Sequence, residues 1–192
     1  MEMNLPNKLT ILRVVLIPFY VAALMIPFKW HIWAAIFFFA AASITDWFDG
    51  RIARERHLVT SFGKFLDPLA DKMLVMSALV CFTALGWCDP AAVIIILARE
   101  FMVSGLRLVT AKEGVVAAAG IWGKVKTAFT MFAVIGMMAL DIFFGKNAMI
   151  SEIDHSTIFM INEILMWIAT VLTVISGGIY LKQYWKYIDP SK

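Results

Sequence analysis

Residues 46–71 read DWFDGRIARERHLVTSFGKFLDPLAD and separate two long apolar segments. Four carboxylates stand in this stretch, at Asp46, Asp49, Asp67 and Asp71. On helices, the first pair is spaced i, i+3 and the second i, i+4, so each pair shares one helix face. If the chain folds back between the pairs, the four carboxylates converge, and their mutual repulsion calls for a cation. Hard divalent ions, which prefer oxygen ligands, are the natural candidates.

The composition is that of an integral membrane protein. Of the 192 residues, 61% are hydrophobic and 16% are charged, and the mean hydropathy is +0.82. A soluble domain has about half apolar residues, so that class is excluded. We predict one domain over residues 1–192, and we expect no nucleic-acid partner. Cys81 and Cys88 stand on one predicted helix with about 10 Å of rise between them, too far apart for a disulfide.

Apolar runs recur along the whole chain. About 20 apolar residues cross the roughly 30 Å hydrocarbon core of a bilayer. We therefore predict an all-α fold with six transmembrane helices, preceded by a short interfacial segment at residues 1–8. The predicted helices cover residues 9–28, 30–54, 63–87, 91–110, 127–144 and 158–180.

The distribution of positive charge predicts the orientation. With six crossings, both termini lie on one side, together with most lysines and arginines, whereas only Lys29 and Lys146 fall on the other side. Cytoplasmic loops carry the excess of positive charge in membrane proteins. The sequence thus predicts that both termini and residues 46–71 are cytoplasmic.

The acidic stretch has two interpretations. In the simpler one, Arg54, Lys64 and Lys72 neutralise the aspartates on a solvated face, which leaves the carboxylate spacing and the glycines at 50 and 63 unexplained. In the other, two divalent ions about 3.5–4 Å apart clamp a pyrophosphate group. A carboxylate that is not fully committed to metal can then take a proton from an attacking hydroxyl.

The stretch also carries a family signature, D-x2-D-G-x2-A-R-x8-G-x3-D-x3-D. The residues at its fixed positions are Asp46, Asp49, Gly50, Ala53, Arg54, Gly63, Asp67 and Asp71. On these residues the chain resembles the CDP-alcohol phosphatidyltransferases, and its six predicted crossings are similar to that family's membrane fold. The resemblance implies transfer of a phosphatidyl group from a CDP-linked lipid to an alcohol, with release of CMP.

The resemblance also implies roles for individual residues. Two divalent ions, Mg²⁺ or Mn²⁺, are expected on Asp46, Asp49, Asp67 and Asp71. Asp71 is expected to act as the general base for the acceptor hydroxyl. The residues expected to contact the CDP-diacylglycerol are Asp46, Gly50, Arg54 and Thr60. A homodimer in the bacterial plasma membrane is implied in the same way.

The acceptor alcohol is predicted to be glycerol 3-phosphate, with phosphatidylglycerophosphate as the product. Residues 5–13, 98–107 and 123–127 resemble the family members that use this acceptor, although these signals are looser than the acidic signature. An anionic acceptor also needs cations beyond the metals. Four are available on two successive predicted helices: Arg99, Arg107, Lys124 and Lys126.

Other assignments stay open at this point. The same four cations are also explained as interfacial charges that set the membrane orientation. Inositol phosphate, serine and phosphatidylglycerol remain alternative acceptors. A small transporter would also carry intramembrane charge, but its charges would span the bilayer, and no paired broken-helix pattern is present.

Overall fold

The computed structural model describes residues 4–55, 61–115, 120–145, 150 and 154–187, except for the side chains at 5–6, 47–55, 61–65, 67–68 and 112. This part of the chain forms six α-helices and no β-strand. The helices are α1 Leu5–Met25, α2 His31–Glu55, α3 Ser61–Ala84, α4 Pro90–Lys112, α5 Ile121–Phe144 and α6 His155–Tyr184, with a 3₁₀ turn at Trp185–Tyr187. The all-α class and the six helices predicted from sequence are confirmed for these residues.

The bounds of α4 follow from local sequence. Asp89 is the N-cap, and its side chain accepts a hydrogen bond of 2.7 Å from the Ala91 amide. Pro90 follows at the first helical turn, where its missing N–H costs nothing. Beyond the other end of α4, Gly114 has φ +74°, a left-handed conformation that suits glycine.

The turn between α3 and α4 corrects one detail of the sequence analysis. Helix α3 ends at Ala84, and the chain passes through Gly86 at φ +71°. Cys88 therefore lies in the turn and not on the same helix as Cys81. Both cysteines are buried and free, so the prediction of no disulfide is confirmed.

By Cα proximity the chain divides into two compact units, which are described separately. Unit 1 comprises Met1–Leu85 and Met138–Ile153. Within it, α1 packs against α2 and α3. The rings of Tyr20 and Phe39 lie 5.5 Å apart in its core, and the Tyr20 hydroxyl contacts the Met138 sulfur at 3.9 Å.

Unit 2 comprises Gly86–Met137 and Asp154–Lys192. Within it, α4 packs against α6. One cluster of its core contains two aliphatic residues of α4 and two tyrosines of α6, namely Val103, Leu106, Tyr180 and Tyr184. The single domain predicted over residues 1–192 stays a prediction.

Several hydroxyl side chains inside the helices are satisfied locally. Thr45, Ser104 and Thr130 each donate to the carbonyl four residues earlier, at 2.6, 2.6 and 2.8 Å. This local bonding lets a polar side chain sit in an apolar helix without an unsatisfied hydroxyl. Such residues therefore do not argue against a membrane setting.

In the part of the chain that the structure describes, three helical segments are apolar and long enough to cross a membrane: Asn7–Met25, Ile121–Phe144 and His155–Tyr187. Their outer faces leave large apolar side chains exposed, among them Phe19, Phe132 and Ile164. The remaining helices carry the acidic signature and the Arg99 region, which lowers their hydropathy. The chain is thus an integral membrane protein, whereas the count of six crossings stays a prediction.

Candidate active site

The acidic signature lies on two helices of unit 1. Asp46 and Asp49 are on α2, and Asp67 and Asp71 are on α3. The side chain of Asp46 is 46% exposed, and that of Asp71 is exposed. The side chains of Asp49 and Asp67 lie outside the described part, as do the side chain of Arg54 and all of Thr60. Gly50 is on α2.

Asp46 has a partner that the sequence analysis did not assign to the site. Arg13, on α1, is fully buried, and its Nη1 lies 2.7 Å from the Asp46 carboxylate. Arg13 therefore fixes one face of Asp46 and offsets part of the charge in the acidic stretch. The sequence did contain a signal for such a pair. Arg13 is a charged residue inside an otherwise apolar run, and such a residue is costly in a membrane without a partner.

Arg13 belongs to a polar stripe on α1. Asn7 and Thr10 precede it at intervals of three residues, and both are buried. Side chains at this spacing lie on adjoining parts of one helix face. Since α1 packs on α2 and α3, which carry the acidic signature, we regard this stripe as part of the candidate site.

In unit 2, two of the four predicted acceptor cations share one carboxylate. Arg99 Nη1 lies 2.9 Å from Glu100 Oε1, and Lys126 Nζ pairs with the same oxygen. Arg99 and Lys126 are almost completely buried, at 8% and 7% exposure. Two buried cations on one carboxylate leave a net positive charge, which suits an anionic ligand.

Two residues of helix α6 lie directly against Arg99. Arg99 Nη2 donates to Ser176 Oγ at 2.7 Å. At Gly177, a Cβ atom would lie 2.8 Å from Arg99 Cγ, so only glycine leaves room for the arginine there. Arg99 Nε has no hydrogen-bond partner among the described residues. It is a buried donor available to a bound group.

The other two predicted acceptor cations have different surroundings. Arg107 is exposed, its guanidinium lies 5.5 Å from the centre of the Tyr180 ring, and its Nη2 donates to the Tyr180 hydroxyl at 3.1 Å. Lys124 is exposed on α5. The structure therefore brings Arg99 and Lys126 together and leaves Arg107 and Lys124 at the surface of unit 2.

Known families provide a direct comparison. The profile of the CDP-alcohol phosphatidyltransferase family matches residues 3–175. The chain belongs to that family. The match covers every helix that carries a predicted site residue.

Curated relatives from bacteria share about 40% of their residues with this chain. The protein from Bacillus subtilis is 39% identical over 98% of both chains. That from Rickettsia felis is 40% identical over 97% of this chain and 98% of its own, and that from Yersinia enterocolitica is 42% identical over 97% of both. All three are named CDP-diacylglycerol–glycerol-3-phosphate 3-phosphatidyltransferase.

The family uses divalent metal ions, and the donor chemistry here fits such an ion. Asp46 and Asp71 supply carboxylate oxygens, the ligands that Mg²⁺ and Mn²⁺ prefer. Both carboxylates are accessible to solvent. Among the described side chains no three His, Cys, Asp or Glu residues gather at one point, and Asp49 and Asp67 are outside that set. The four-carboxylate metal site stays a prediction.

Proposed function

We propose that this chain transfers the phosphatidyl group of CDP-diacylglycerol to sn-glycerol 3-phosphate, giving phosphatidylglycerophosphate and CMP. The observation that carries the proposal is a complete acidic signature in a chain about 40% identical, over nearly its full length, to relatives named for this reaction. The buried pair of cations in unit 2 supports an anionic acceptor independently. A neutral acceptor such as serine would need fewer cations.

In the proposed mechanism, Asp71 takes the proton of the acceptor hydroxyl. The freed oxygen attacks the phosphorus that carries the diacylglycerol, a new P–O bond forms, and the bond to the CMP phosphate breaks. The exposure of Asp71 suits this role, because a general base must reach a proton on an entering substrate. Positioning and charge neutralisation supply most of the rate enhancement in such transfers.

Two divalent ions, Mg²⁺ or Mn²⁺, are proposed on Asp46, Asp49, Asp67 and Asp71. When bound, they neutralise the pyrophosphate and the charge that develops on the leaving phosphate. The pairing of Asp46 with Arg13 is compatible with this role, since a carboxylate has two oxygens and can accept several partners.

The CDP-diacylglycerol is proposed to contact Asp46, Gly50, Arg54 and Thr60. Glycine at position 50 allows the nucleotide to approach the backbone of α2. A guanidinium at position 54 suits phosphate oxygens, which it can bind through two parallel hydrogen bonds.

The acceptor phosphate is proposed to bind Arg99, Arg107, Lys124 and Lys126. Arg99 offers its unused Nε–H, and Lys126 is held beside it through Glu100. The exposed Arg107 and Lys124 are proposed to attract the anion before it reaches the buried pair, because exposed charges act mainly on the rate of encounter.

The remaining proposals concern the cellular setting. The enzyme is proposed to be a homodimer of single-domain chains in the bacterial inner membrane, with both termini and the active site in the cytoplasm. The excess of lysine and arginine on one side of the six predicted crossings supports this orientation.

The test is CMP release by the purified chain in detergent with CDP-diacylglycerol and Mg²⁺. Glycerol 3-phosphate, serine, inositol 1-phosphate and phosphatidylglycerol are supplied in separate reactions. We expect release only with glycerol 3-phosphate. Release with another acceptor would overturn the choice of alcohol, and no release from folded protein would overturn the proposed reaction.

A matched pair of variants tests the general base. Asp71→Asn should lower kcat by roughly 10²–10⁴-fold, the range contributed by general bases. Asp154→Asn makes the same chemical change at an exposed residue that precedes α6, and it should retain full activity. Equal activity of the two variants would remove Asp71 from the mechanism.

A further inference from the structure

One buried threonine of unit 2 lacks the hydrogen bond that its neighbour on the same helix makes. Thr173, on α6, is fully buried at 0% exposure, and its Oγ1 has no hydrogen-bond partner among the described residues. By contrast, the buried Thr170 donates to the Met166 carbonyl at 2.8 Å. A buried hydroxyl without a partner is destabilising, and native proteins contain few of them. The Thr173 hydroxyl therefore calls for a partner that the described part of the chain does not supply.

Contacts on either side of Thr173 show where this hydroxyl lies. Thr170 Oγ1 is 3.5 Å from the Ala92 carbonyl of α4, and Ser176 Oγ accepts a hydrogen bond of 2.7 Å from Arg99, also on α4. Thr173 stands three residues from both Thr170 and Ser176, so the three side chains follow one helix face. Since α6 packs against α4, Thr173 lies in that interface, one helical turn from the contact with Arg99.

Arg99 has an unused donor in the same interface. Its Nη1 is held by Glu100 at 2.9 Å and its Nη2 by Ser176, whereas its buried Nε has no partner among the described residues. This Nε lies 3.4 Å from the position that a Cβ would take at Gly177. Gly177 follows Thr173 by four residues, a spacing at which Cβ positions on a helix are about 5–6 Å apart. A guanidinium N–H and a hydroxyl, both without a partner, thus lie on adjoining parts of one interface.

The proposed acceptor carries two groups at a matching separation. In glycerol 3-phosphate, one end carbon bears the phosphate, the middle carbon bears a secondary hydroxyl, and the other end carbon bears the hydroxyl that attacks. The secondary hydroxyl is three covalent bonds from the ester oxygen of the phosphate, so it can reach a group one helical turn away from the phosphate's partner. A threonine hydroxyl both donates and accepts, which suits an alcohol. Glu100, which holds Arg99, is 15% exposed, so the cluster is not closed to an entering ligand.

We propose that the Thr173 hydroxyl binds the secondary hydroxyl of the acceptor while Arg99 holds its phosphate. This inference rests on the proposed function and narrows its substrate class to polyol phosphates with a hydroxyl beside the phosphate-bearing carbon. A site built to hydrogen-bond a hydroxyl rejects an analogue that lacks it, because the buried polar group is then left unpaired. Thr173 is accordingly a specificity-determining residue. A bound water molecule is the competing occupant, and it would give no such discrimination.

The test compares two acceptors that differ only in this hydroxyl. CMP release by the full-length chain in detergent, with CDP-diacylglycerol and Mg²⁺, is measured at varied sn-glycerol 3-phosphate and at varied 3-hydroxypropyl phosphate, which lacks the secondary hydroxyl. We expect kcat/KM to be about tenfold or more higher for glycerol 3-phosphate, as one hydrogen bond predicts. Equal kcat/KM values for the two acceptors would overturn the inference and leave the proposed reaction standing. No CMP release with either acceptor, from folded protein, would overturn the proposed function and this inference with it.

Three variants locate the selectivity. Thr173→Val removes the hydroxyl at nearly constant shape, so it should lower kcat/KM for glycerol 3-phosphate about tenfold and change the value for 3-hydroxypropyl phosphate little. Thr173→Ser keeps the hydroxyl and should keep the selectivity. Thr170→Val is the matched control, because the Thr170 hydroxyl already has a partner on its own helix, and it should also keep the selectivity.

The ratio of the two kcat/KM values separates substrate contact from a structural effect. Loss of folded protein lowers both values equally, so the ratio stays the same. An unchanged ratio in Thr173→Val, as expected if the hydroxyl binds only water, would overturn the inference. Equal loss of selectivity in Thr173→Val and Thr170→Val would also overturn it, because the effect would then belong to the packing of α6 and not to the Thr173 hydroxyl.

Discussion

Replacing Gly177 with alanine should damage acceptor binding through Arg99. The new Cβ would lie 2.8 Å from Arg99 Cγ and 3.4 Å from both Arg99 Nε and Met102 Cε. Carbon atoms pack at about 3.5–4.0 Å, so the arginine stem has to move by roughly 0.7 Å or more. A shift of that size carries Arg99 Nη2 toward the limit of its 2.7 Å hydrogen bond to Ser176.

The expected change in KM follows from the hydrogen bonds that Arg99 would lose. Hydrogen bonds to charged groups contribute about 1.5–3 kcal/mol each, and each 1.4 kcal/mol corresponds to about tenfold in affinity. Because Arg99 is proposed to hold the acceptor phosphate, the KM for glycerol 3-phosphate should rise roughly 10- to 100-fold in Gly177→Ala. The KM for CDP-diacylglycerol should change little.

The neighbouring glycine supplies a matched control. A Cβ at Gly178 would meet no atom within 4 Å, and Gly178 is on the same helix. Both substitutions bring the same gain in helix propensity, about 1 kcal/mol, so steric contact is what distinguishes them. Steady-state CMP release at varied glycerol 3-phosphate, with thermal unfolding in detergent beside it, measures both effects.

Two results would refute this reasoning. If Gly177→Ala and Gly178→Ala had the same KM for glycerol 3-phosphate, Arg99 would not depend on the space at Gly177. If Gly177→Ala lowered kcat and the unfolding temperature but left the KM for glycerol 3-phosphate unchanged, the effect would be loss of folded protein and not loss of acceptor binding.

Three further predictions concern the ion pair of unit 1 and the start of α4. Arg13→Gln removes the ion pair with Asp46 and should destabilise the fold by about 1.5–3 kcal/mol, visible as a lower unfolding temperature; an unchanged temperature would mean that the pair is not stabilising. Asp89→Ala removes the cap bond of α4 and should cost about 1 kcal/mol. Asp154→Ala should cost less, because Asp154 makes no side-chain cap bond, and equal losses would contradict the capping role. Burial, with neighbouring carboxylates, raises the pKa of Cys88 to about 12, so its thiolate fraction at pH 7–9 is small. Alkylation followed by peptide mass spectrometry should therefore still accelerate about tenfold per pH unit near pH 10, whereas a plateau near pH 9 would contradict the raised pKa.

Sequence patterns were sufficient for the helices and the family. The apolar runs and the Asp89-Pro90 pair predicted six helices, and the structure shows a cap at Asp89. The signature spacing predicted two acidic pairs on successive helices, α2 and α3. These features are local, because they depend on residues within one or two helical turns. Local patterns of this kind can be recognised in a single sequence.

Contacts between distant residues were not predictable in the same way. Arg13 meets Asp46, and Arg99 meets Ser176 and Gly177, through helix packing that no local pattern encodes. In the sequence, each of the four acceptor cations could be explained either as a ligand of an anion or as an interfacial charge. Packing distinguishes them. Of the four, only Arg99 and Lys126 are buried in unit 2, where both pair with the carboxylate of Glu100.

The ion pair between α1 and α2 has a consequence for how the protein is made. Arg13 leaves the ribosome 33 residues before Asp46 (46 minus 13), so at about 5–20 residues per second it waits roughly 2–7 s for its partner. An ionised arginine within a membrane helix is costly, although less so near the membrane edge than the roughly 2.5–3.5 kcal/mol at the centre, and the pairing with Asp46 offsets part of that cost. The first helix therefore gains its full stability in the bilayer only when the second arrives, and the two are best inserted together as a hairpin.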